Sequence, residues 1–220
     1  MRSRELVAGL VEVTADRQRA REPAARDDGI VRTHVALVRG INVIGRNKVS
    51  MPELRAVVEA LGHGDVITYI QSGNVVFTVA GSSADRAALA HDLERAIAER
   101  LGVRPAVMVV SHDDLAQVVR NNPYPRETDH RCLHAVFLRD VPDSAGFASV
   151  GAAVERAQAK GSRDDARVVG RTLYLWTPDG FARSILRAEL SRQGRHRTPV
   201  DAGTARNWAT VTTLLSLLDG

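Results

Sequence analysis

The sequence predicts an α+β protein made of two ferredoxin-like subdomains in tandem duplication, each with the element order β-α-β-β-α-β. Two observations lead to this prediction. Short apolar runs alternate with amphipathic segments from residue 33 to residue 110, in the order that the unit requires. Much of the same order then recurs between residues 131 and 220, with little identity between the two halves. A single mixed sheet is the alternative.

The first half supplies every element of one unit. In chain order, the pattern predicts a strand, a helix, two strands joined by a hairpin, a helix and a strand: THVALVRG (33–40), MPELRAVVEALG (51–62), DVITYIQ (65–71), NVVFTVA (74–80), SADRAALAHDLERAIAERLG (83–102) and RPAVMVV (104–110). Ser50 and Glu53 fit a capping box at the start of the first helix, and Gly102 closes the second helix.

The second half is less complete. The pattern predicts a short helix, a strand, a helix, a hairpin of two strands about Gly170 and Arg171, and two helices: SHDDLAQVVRNN (111–122), CLHAVFLRD (132–140), residues 144–159, ARVVG (166–170), RTLYLWT (171–177), FARSILRAELSRQ (181–193) and ARNWATVTTLLSLL (205–218). The expected organisation is therefore a mobile N-terminal extension (1–30), a first subdomain (31–110), a connecting helix and turn (111–130), and a second subdomain with a C-terminal helix (131–220).

Composition favours a cytoplasmic protein with no membrane partner. No apolar run approaches the length of a membrane span, and the N-terminus has no continuous hydrophobic segment typical of a secretory signal. Cys132 is the only cysteine, so no intramolecular disulfide can form. The net charge of +4 is modest, and its excess lies within residues 181–207, which are either a solvated basic segment or a surface that faces an anion.

Two polar segments are expected to meet at one edge of the first sheet. The segment RGINVIGRNKVS (39–50) follows the first strand, and QSGN (71–74) forms the hairpin. In a β-α-β-β-α-β unit the first strand ends at the edge where the hairpin turns, so topology brings these segments together. The candidate ligand-binding residues at this edge are Arg39, Asn42, Asn47, Lys48, Gln71, Ser72 and Asn74. The alternative is structural: Gly40, Gly45 and Asn42 supply positive φ angles, and Ser72-Gly73 is only a turn.

Lys48 favours the functional interpretation, because it is one of only two lysines among 30 basic residues. A nucleoside-triphosphatase P-loop is not expected: Gly40 and Gly45 have the right spacing, but Arg46 and Asn47 stand where that motif needs Lys and Ser or Thr. The segment GTARNWATV (203–211) adds Arg206, Asn207 and Trp208 as candidate ligand-binding residues at a second polar edge. The alternative there is that Trp208 packs in the core and Thr204 caps the last helix.

Two other constellations are weaker. His130, Cys132 and His134 would share a face of a strand, but that face continues into Val136 and Leu138, so no metal site is predicted. Ser111 and Asp114 in SHDDL are typical of a helix N-cap rather than of a catalytic group. No cofactor is predicted.

The chain resembles the bacterial family called domain of unknown function 1697 over roughly residues 33–218. The resemblance lies in ALVRGINVIGRNKVSMPELRAVVEALG, TYIQSGNVVF, NPYP, LYLWTPDGFARSIL and GTARNWATVTTLL. It implies a duplicated ferredoxin-like arrangement and marks Gly40, Met51 and Gly73 in addition to the ten candidates above. Relatives often have a second glycine after RGIN, where this chain has Ile44 before Gly45. The family implies no chemistry.

Three functions remain open at this point. The first is a binding protein for an anionic, phosphate-bearing small molecule or nucleic acid. The second is a structural protein that acts as a homo-oligomer such as a homodimer, through exposed sheet edges. The third is an enzyme that uses Lys48 as base or nucleophile and Arg39 to orient an anionic substrate. With only nine aromatic residues, a stacking platform for bases is hard to assemble.

Overall fold

The computed structural model describes residues 32–43, 47–80, 85–192 and 203–220. The predicted N-terminal extension lies outside these ranges, as do Arg46 and part of the predicted basic segment. In chain order the regular elements are β1 His34–Arg39, α1 Met51–Glu59, β2 Gly64–Tyr69, β3 Asn74–Thr78, α2 Arg86–Leu101, β4 Ala106–Ser111, α3 His112–Arg120, β5 Leu133–Phe137, α4 Ser144–Gln158, β6 Asp165–Val169, β7 Thr172–Trp176, α5 Ile185–Ser191, β8 Thr204–Asn207 and α6 Trp208–Asp219. A 3₁₀ turn, Phe181–Arg183, precedes α5.

The strands form two four-stranded antiparallel sheets, so the protein is α+β and the single mixed sheet is wrong. The first sheet has the order β2-β3-β1-β4, and the second has the order β6-β7-β5-β8. Both sheets therefore place their strands in the same sequence of neighbours, and every neighbouring pair is antiparallel. In the described part of the chain, no helix is long and apolar enough to span a bilayer.

The last helix begins later than predicted, and its predicted first turn is mostly a strand. Residues 204–207 form β8, which pairs with β5 from Thr204↔Phe137 to Asn207↔His134. A four-residue strand of mixed polarity carries no clear alternation, so the pattern merged it with the apolar helix that follows. The edge of β5 supplies the backbone partners that make the segment extended. This strand completes the second sheet.

Several predicted helix ends are confirmed by their hydrogen bonds. The hydroxyl of Ser50 accepts from the backbone N–H of Glu53, as the predicted N-cap does, and donates to the carboxylate of Glu53. Gly102 ends α2 in the left-handed conformation with φ of 68°. Ser111 caps α3 by accepting from the N–H of Asp114.

Three apolar clusters hold the described residues together. One lies between the first sheet and α1 and α2, and another lies between the second sheet and α4 and α5. The central cluster contains residues of both sheets together with residues of α3 and α6. Successive residues of β1 alternate between clusters, with Ala36 and Val38 facing α1 and α2 while Val35 and Leu37 face the centre. The two halves of the chain therefore share the central cluster.

Candidate functional site

The two polar segments lie side by side, as the topology predicts. The backbone N–H of Val38 donates to the carbonyl of Gly73 at 2.8 Å, and Nδ2 of Asn42 donates to the carbonyl of Gln71 at 3.0 Å. We call this surface the rim and define it as residues 39–43, 47–53 and 70–74. The rim is the end of the first sheet where β1 stops and the β2–β3 hairpin turns.

Two asparagines hold the loop after β1 in shape. Asn42 and Asn47 both have positive φ angles, 53° and 50°, which Asn tolerates better than most residues. Oδ1 of Asn42 accepts from the N–H of Val49 at 2.9 Å, and its Nδ2 also donates to the carbonyl of Val49. Nδ2 of Asn47 donates to the carbonyl of Gly40 at 2.8 Å. Both side chains therefore bond to the loop's own backbone.

The hairpin packs so closely on β1 that its glycine is required. Gly73 has a φ of 75°, and a Cβ built there would lie 2.8 Å from Cδ1 of Ile41 and 2.9 Å from Cβ of Val38. A real Cβ makes no contact under 3.0 Å. A residue with a side chain would have to push the hairpin away from β1.

Asn74 is buried and joins the hairpin to the second half of the chain. Its Nδ2 donates to the carbonyl of Tyr69 and to the hydroxyl of Ser72. Its Oδ1 accepts from Nε of Arg206, whose Nη2 donates to the carbonyls of Val38, Ser72 and Gly73. Arg206 of β8 thus reaches across to the rim and satisfies several of its acceptors.

The other candidates from the C-terminal segment also have structural partners. Asn207 caps α6, because its Oδ1 accepts from the N–H of Thr210 at 2.8 Å. The alternative that Thr204 caps this helix is therefore wrong. Trp208 is 6% exposed and packs in the central cluster near Tyr174, as the packing interpretation predicts. Arg39 donates from Nη1 to the carbonyl of Gly203 at 2.7 Å, so it also connects the halves.

Lys48 and Gln71 are the rim candidates that face solvent and bond least to the protein. Both are exposed, and they line an open depression of about 610 Å³ with Asn42, residues 49–52 and Glu53. Among the described residues Lys48 has no hydrogen bond or ion pair. An exposed ammonium is well placed to meet a solute, but it lacks the desolvation that makes a lysine a base or nucleophile. The enzyme hypothesis therefore gains no support from Lys48.

A second positive charge contacts the hairpin part of the rim but does not line the depression. Burial lowers the pKa of Arg206 to about 10, and the guanidinium is still charged near neutral pH. The acceptors of Arg206 in the described structure are carbonyl and amide oxygens, none of them a carboxylate. Its charge is consequently not neutralised by a hydrogen-bonded acid. Glu53 is the acidic residue of the depression, and its carboxylate accepts from Ser50.

One rim residue was not anticipated from the sequence. Ile70 has a φ of 49° and is 50% exposed, although a β-branched residue strongly disfavours this conformation. The apolar run DVITYIQ predicts that the strand continues through Ile70, whereas β2 ends at Tyr69. No local signal in the sequence marks this turn. The chain has to turn at Ile70 because Tyr69 pairs with Asn74 across the β2–β3 hairpin.

His130, Cys132 and His134 do not lie together on one strand, contrary to the expectation from the sequence. In the described residues, no group of three or more His, Cys, Asp or Glu side chains is arranged to hold a metal ion. The ring of His134 stacks on Phe181 with centroids 3.9 Å apart, and burial together with the charge of Arg187 lowers its pKa to about 4. His130 and Cys132 precede β5 rather than lying on it.

Comparison with known proteins places the chain among uncharacterised relatives. The family model described as protein of unknown function, DUF1697, matches residues 31–174, which is more than half of the chain. The chain belongs to the DUF1697 family. The resemblance seen in the RGIN and QSGN segments is thereby confirmed. No curated protein matches the chain.

A solved structure has a similar fold. The conserved bacterial protein SP0830 from Streptococcus pneumoniae superposes with a TM-score of 0.62 at 24% sequence identity, and the match covers 85% of this chain and 98% of that chain. At this identity the likeness of this DUF1697 protein to SP0830 concerns the fold alone.

Proposed function

We propose that this DUF1697 protein is a cytoplasmic binding protein for a phosphate-bearing anion, which it holds in the rim depression. The observation that carries the proposal is the exposed ammonium of Lys48, unpaired among the described residues and next to the exposed amide of Gln71. Lys48 supplies the charge, and Gln71 supplies both a donor and an acceptor. Asn42, Asn47, Asn74 and Arg206 serve to fix the backbone on which these two side chains stand.

The size and chemistry of the depression favour a small ligand over nucleic acid. Its volume of about 610 Å³ is within the range of small-molecule sites. Its described lining contains no aromatic side chain on which a base could stack. The charge of Arg206, which bonds to the hairpin without lining the depression, adds a longer-range attraction for an anion.

We further propose that the two halves are ferredoxin-like subdomains that arose by tandem duplication, with the boundaries given by the sequence pattern. The identical neighbour order of the two sheets supports this. In this arrangement only the first subdomain carries the rim, and the second contributes Arg206 from the strand equivalent to β4. A ligand at the rim would then depend on both subdomains.

The test compares Lys48→Gln with Arg55→Gln. Arg55 is an exposed cation on α1 that pairs with Glu59 and does not line the depression, so both variants lose one charge. Titration calorimetry with pyrophosphate, with nucleoside mono- and triphosphates and with short oligonucleotides is expected to show salt-dependent binding. We expect Lys48→Gln to weaken binding about tenfold and Arg55→Gln to leave it nearly unchanged.

Two outcomes would overturn the proposal. One is the absence of binding by every phosphate-bearing probe at millimolar concentration. The other is an equal loss in both variants, which would show that only overall charge matters. Oligonucleotides that bind far more tightly than mononucleotides would replace the small ligand with nucleic acid.

A second candidate, association into a homodimer through the rim, is favoured by two exposed apolar side chains. Val43 is 53% exposed and Ile70 is 50% exposed, and they adjoin Asn42 and Gln71, which are hydrogen-bonded to each other. Sedimentation of the wild type and of Val43→Ser tests this candidate. If the wild type sediments as a monomer at high protein concentration, the homodimer is ruled out.

A further inference from the structure

A second cavity lies where the two halves of the chain meet, and it shares no lining residue with the rim depression. We call it the cleft. Its volume is about 530 Å³. The first half contributes α2 and β4 to its walls, the connecting segment contributes α3, and the second half contributes the end of β5 and the β6–β7 hairpin. The cleft is partly open to solvent, and a pocket of this size between two packed halves is a candidate ligand site.

Side chains of the hydrophobic core supply the apolar part of the cleft lining. Val109, Val118, Phe137 and Tyr174 line the cleft and are all nearly inaccessible to solvent. The hydroxyl of Tyr174 already donates to the carbonyl of Val118 at 2.8 Å, so it is not an open polar group. A ligand that packed on these apolar side chains would gain by burying an apolar body rather than by hydrogen bonding.

Three arginines of the lining provide a polar mouth. Arg86 and Arg171 both pair with the carboxylate of Asp114, and Arg139 pairs with Glu94 at 3.2 Å. The side chains of these arginines remain 32%, 43% and 57% exposed. Each guanidinium has five N–H donors, so one ion pair leaves several donors available.

The lining contains three guanidinium groups and two carboxylates. Arg86, Arg139 and Arg171 stand against Asp114 and Asp140, and Glu94, which pairs with Arg139, is not part of the lining, so these six groups together carry no net charge. Arg86 and Arg171 come from different halves of the chain, and Asp114 lies between them. Because both pair with Asp114, the two guanidinium groups lie close together, and their N–H donors that do not bond to Asp114 can serve an anionic group.

A purely structural explanation accounts for only part of this arrangement. Ion pairs that join the halves would explain Arg86, Arg171 and Asp114. They would not explain a cleft of about 530 Å³ beside the pairs, since close packing of the same residues would bury more surface. Arginines at the mouth and apolar side chains behind them together match an amphipathic solute.

We propose that the cleft binds an amphipathic organic anion, with its carboxylate or phosphate group on Arg171 and Arg86 and its apolar body against Phe137 and Val109. This site goes beyond the rim and does not depend on it. The ligand class is an anion with an apolar tail or ring of a size that fits the cavity. Both halves of the chain contact the ligand.

The experiment uses decanoate as the probe and decan-1-ol as its neutral counterpart, with binding followed by calorimetry on the full chain. We expect decanoate to bind and decan-1-ol to bind at least about tenfold more weakly. Arg171→Gln should weaken decanoate binding about tenfold. Arg167→Gln is the matched control, because Arg167 lies on the same hairpin and is absent from the lining of the cleft.

A second variant fills the cavity without changing its charge. Ala87 is exposed on α2 at the lining, and Ala87→Trp should abolish decanoate binding while the circular dichroism spectrum and the melting temperature stay close to those of the wild type. Equal affinity for the alcohol and the acid would overturn the anionic part of the proposal. If decanoate does not bind, the cleft is not a ligand site. The same conclusion follows if Lys48→Gln removes decanoate binding and Ala87→Trp leaves it intact.

Discussion

The guanidinium of Arg206 donates from Nε to Oδ1 of Asn74 across 132 positions of sequence, at a distance of 2.5 Å. Arg206 belongs to the second sheet and Asn74 to the hairpin of the first. The same guanidinium also donates to the carbonyls of Ser72 and Gly73 in the rim and to the carbonyl of Val38 at the end of β1. One side chain of the second half therefore helps to determine the shape of the rim in the first half.

Replacement of Arg206 should destabilise the whole protein. In Arg206→Gln a shorter side chain would leave Oδ1 of Asn74 and the carbonyl of Ser72 without this donor, while the carbonyl of Gly73 would keep the N–H of Val38. An unsatisfied buried polar group costs about 1–3 kcal/mol, so we expect a loss of about 3 kcal/mol in the free energy of unfolding. Urea denaturation measures it, with the exposed Arg183→Gln as the control. Equal midpoints for the two variants would contradict the prediction.

Gly73→Ala should cost more than Gly102→Ala, although both glycines have positive φ angles. The Cβ at residue 73 meets Ile41 and Val38, whereas nothing lies within 4 Å of a Cβ at residue 102. We expect a loss of about 1 kcal/mol at Gly102 from conformation alone and about 3 kcal/mol at Gly73, where a clash is added. Thermal and urea denaturation of Gly73→Ala and Gly102→Ala measure the two losses. Equal losses of stability would refute the packing argument.

Ile70→Gly should stabilise the protein. Ile70 has a φ of 49° and half of its side chain is exposed, so glycine relieves the left-handed strain and gives up little buried surface. We expect a gain of about 1 kcal/mol, reduced by the greater freedom of glycine in the unfolded chain. Ile70→Ala keeps the backbone strain and is the control. A gain as large in the alanine variant would show that strain is not the cause.

Asn207 should behave as a helix cap. Asn207→Ala removes the acceptor of the N–H of Thr210 and should cost about 1 kcal/mol, while Asn207→Asp, which keeps an acceptor, should cost much less. Unfolding of both variants in urea provides the measurement. If neither variant changes stability while both weaken the binding of phosphate-bearing probes, Asn207 contacts ligand instead.

Protonation of His134 should destabilise the fold in acid. Its pKa is about 4 in the folded protein, mainly through burial, against about 6.5 in the unfolded chain. The unfolded chain therefore binds more protons between these values, and the stability due to neutral His134 is full above about pH 6.5 and is lost as the pH falls towards 4. The loss is about 3 kcal/mol.

The variant His134→Phe isolates this effect, because phenylalanine can keep the stack on Phe181 but does not titrate. The difference in the free energy of unfolding between wild type and His134→Phe should change by about 3 kcal/mol as the pH falls from about 6.5 to about 4. The exposed His91→Gln serves as the control. Parallel acid profiles for wild type and His134→Phe would show that His134 does not contribute.

The first half could be predicted almost completely, because its signals are local. Apolar periodicity located α1 and α2, and Ser50 and Gly102 marked helix ends through interactions with residues at most four positions away. The adjacency of the RGIN and QSGN segments followed from topology alone. What could not be predicted is that Asn74 is fully buried and bonded, since its partner Arg206 lies in the other half.

The sequence by itself determined the family, the α+β class, most elements in their order and the position of Lys48 beside the hairpin, because these follow from short-range patterning and chain topology. The tertiary structure alone decided that residues 204–207 are a strand, that the two sheets share a central core, and that Arg86, Asp114 and Arg171 meet at a cleft. These features depend on contacts between segments far apart in the chain. Their energies come from burial and from pairing with a distant partner, and no window of neighbouring residues records either.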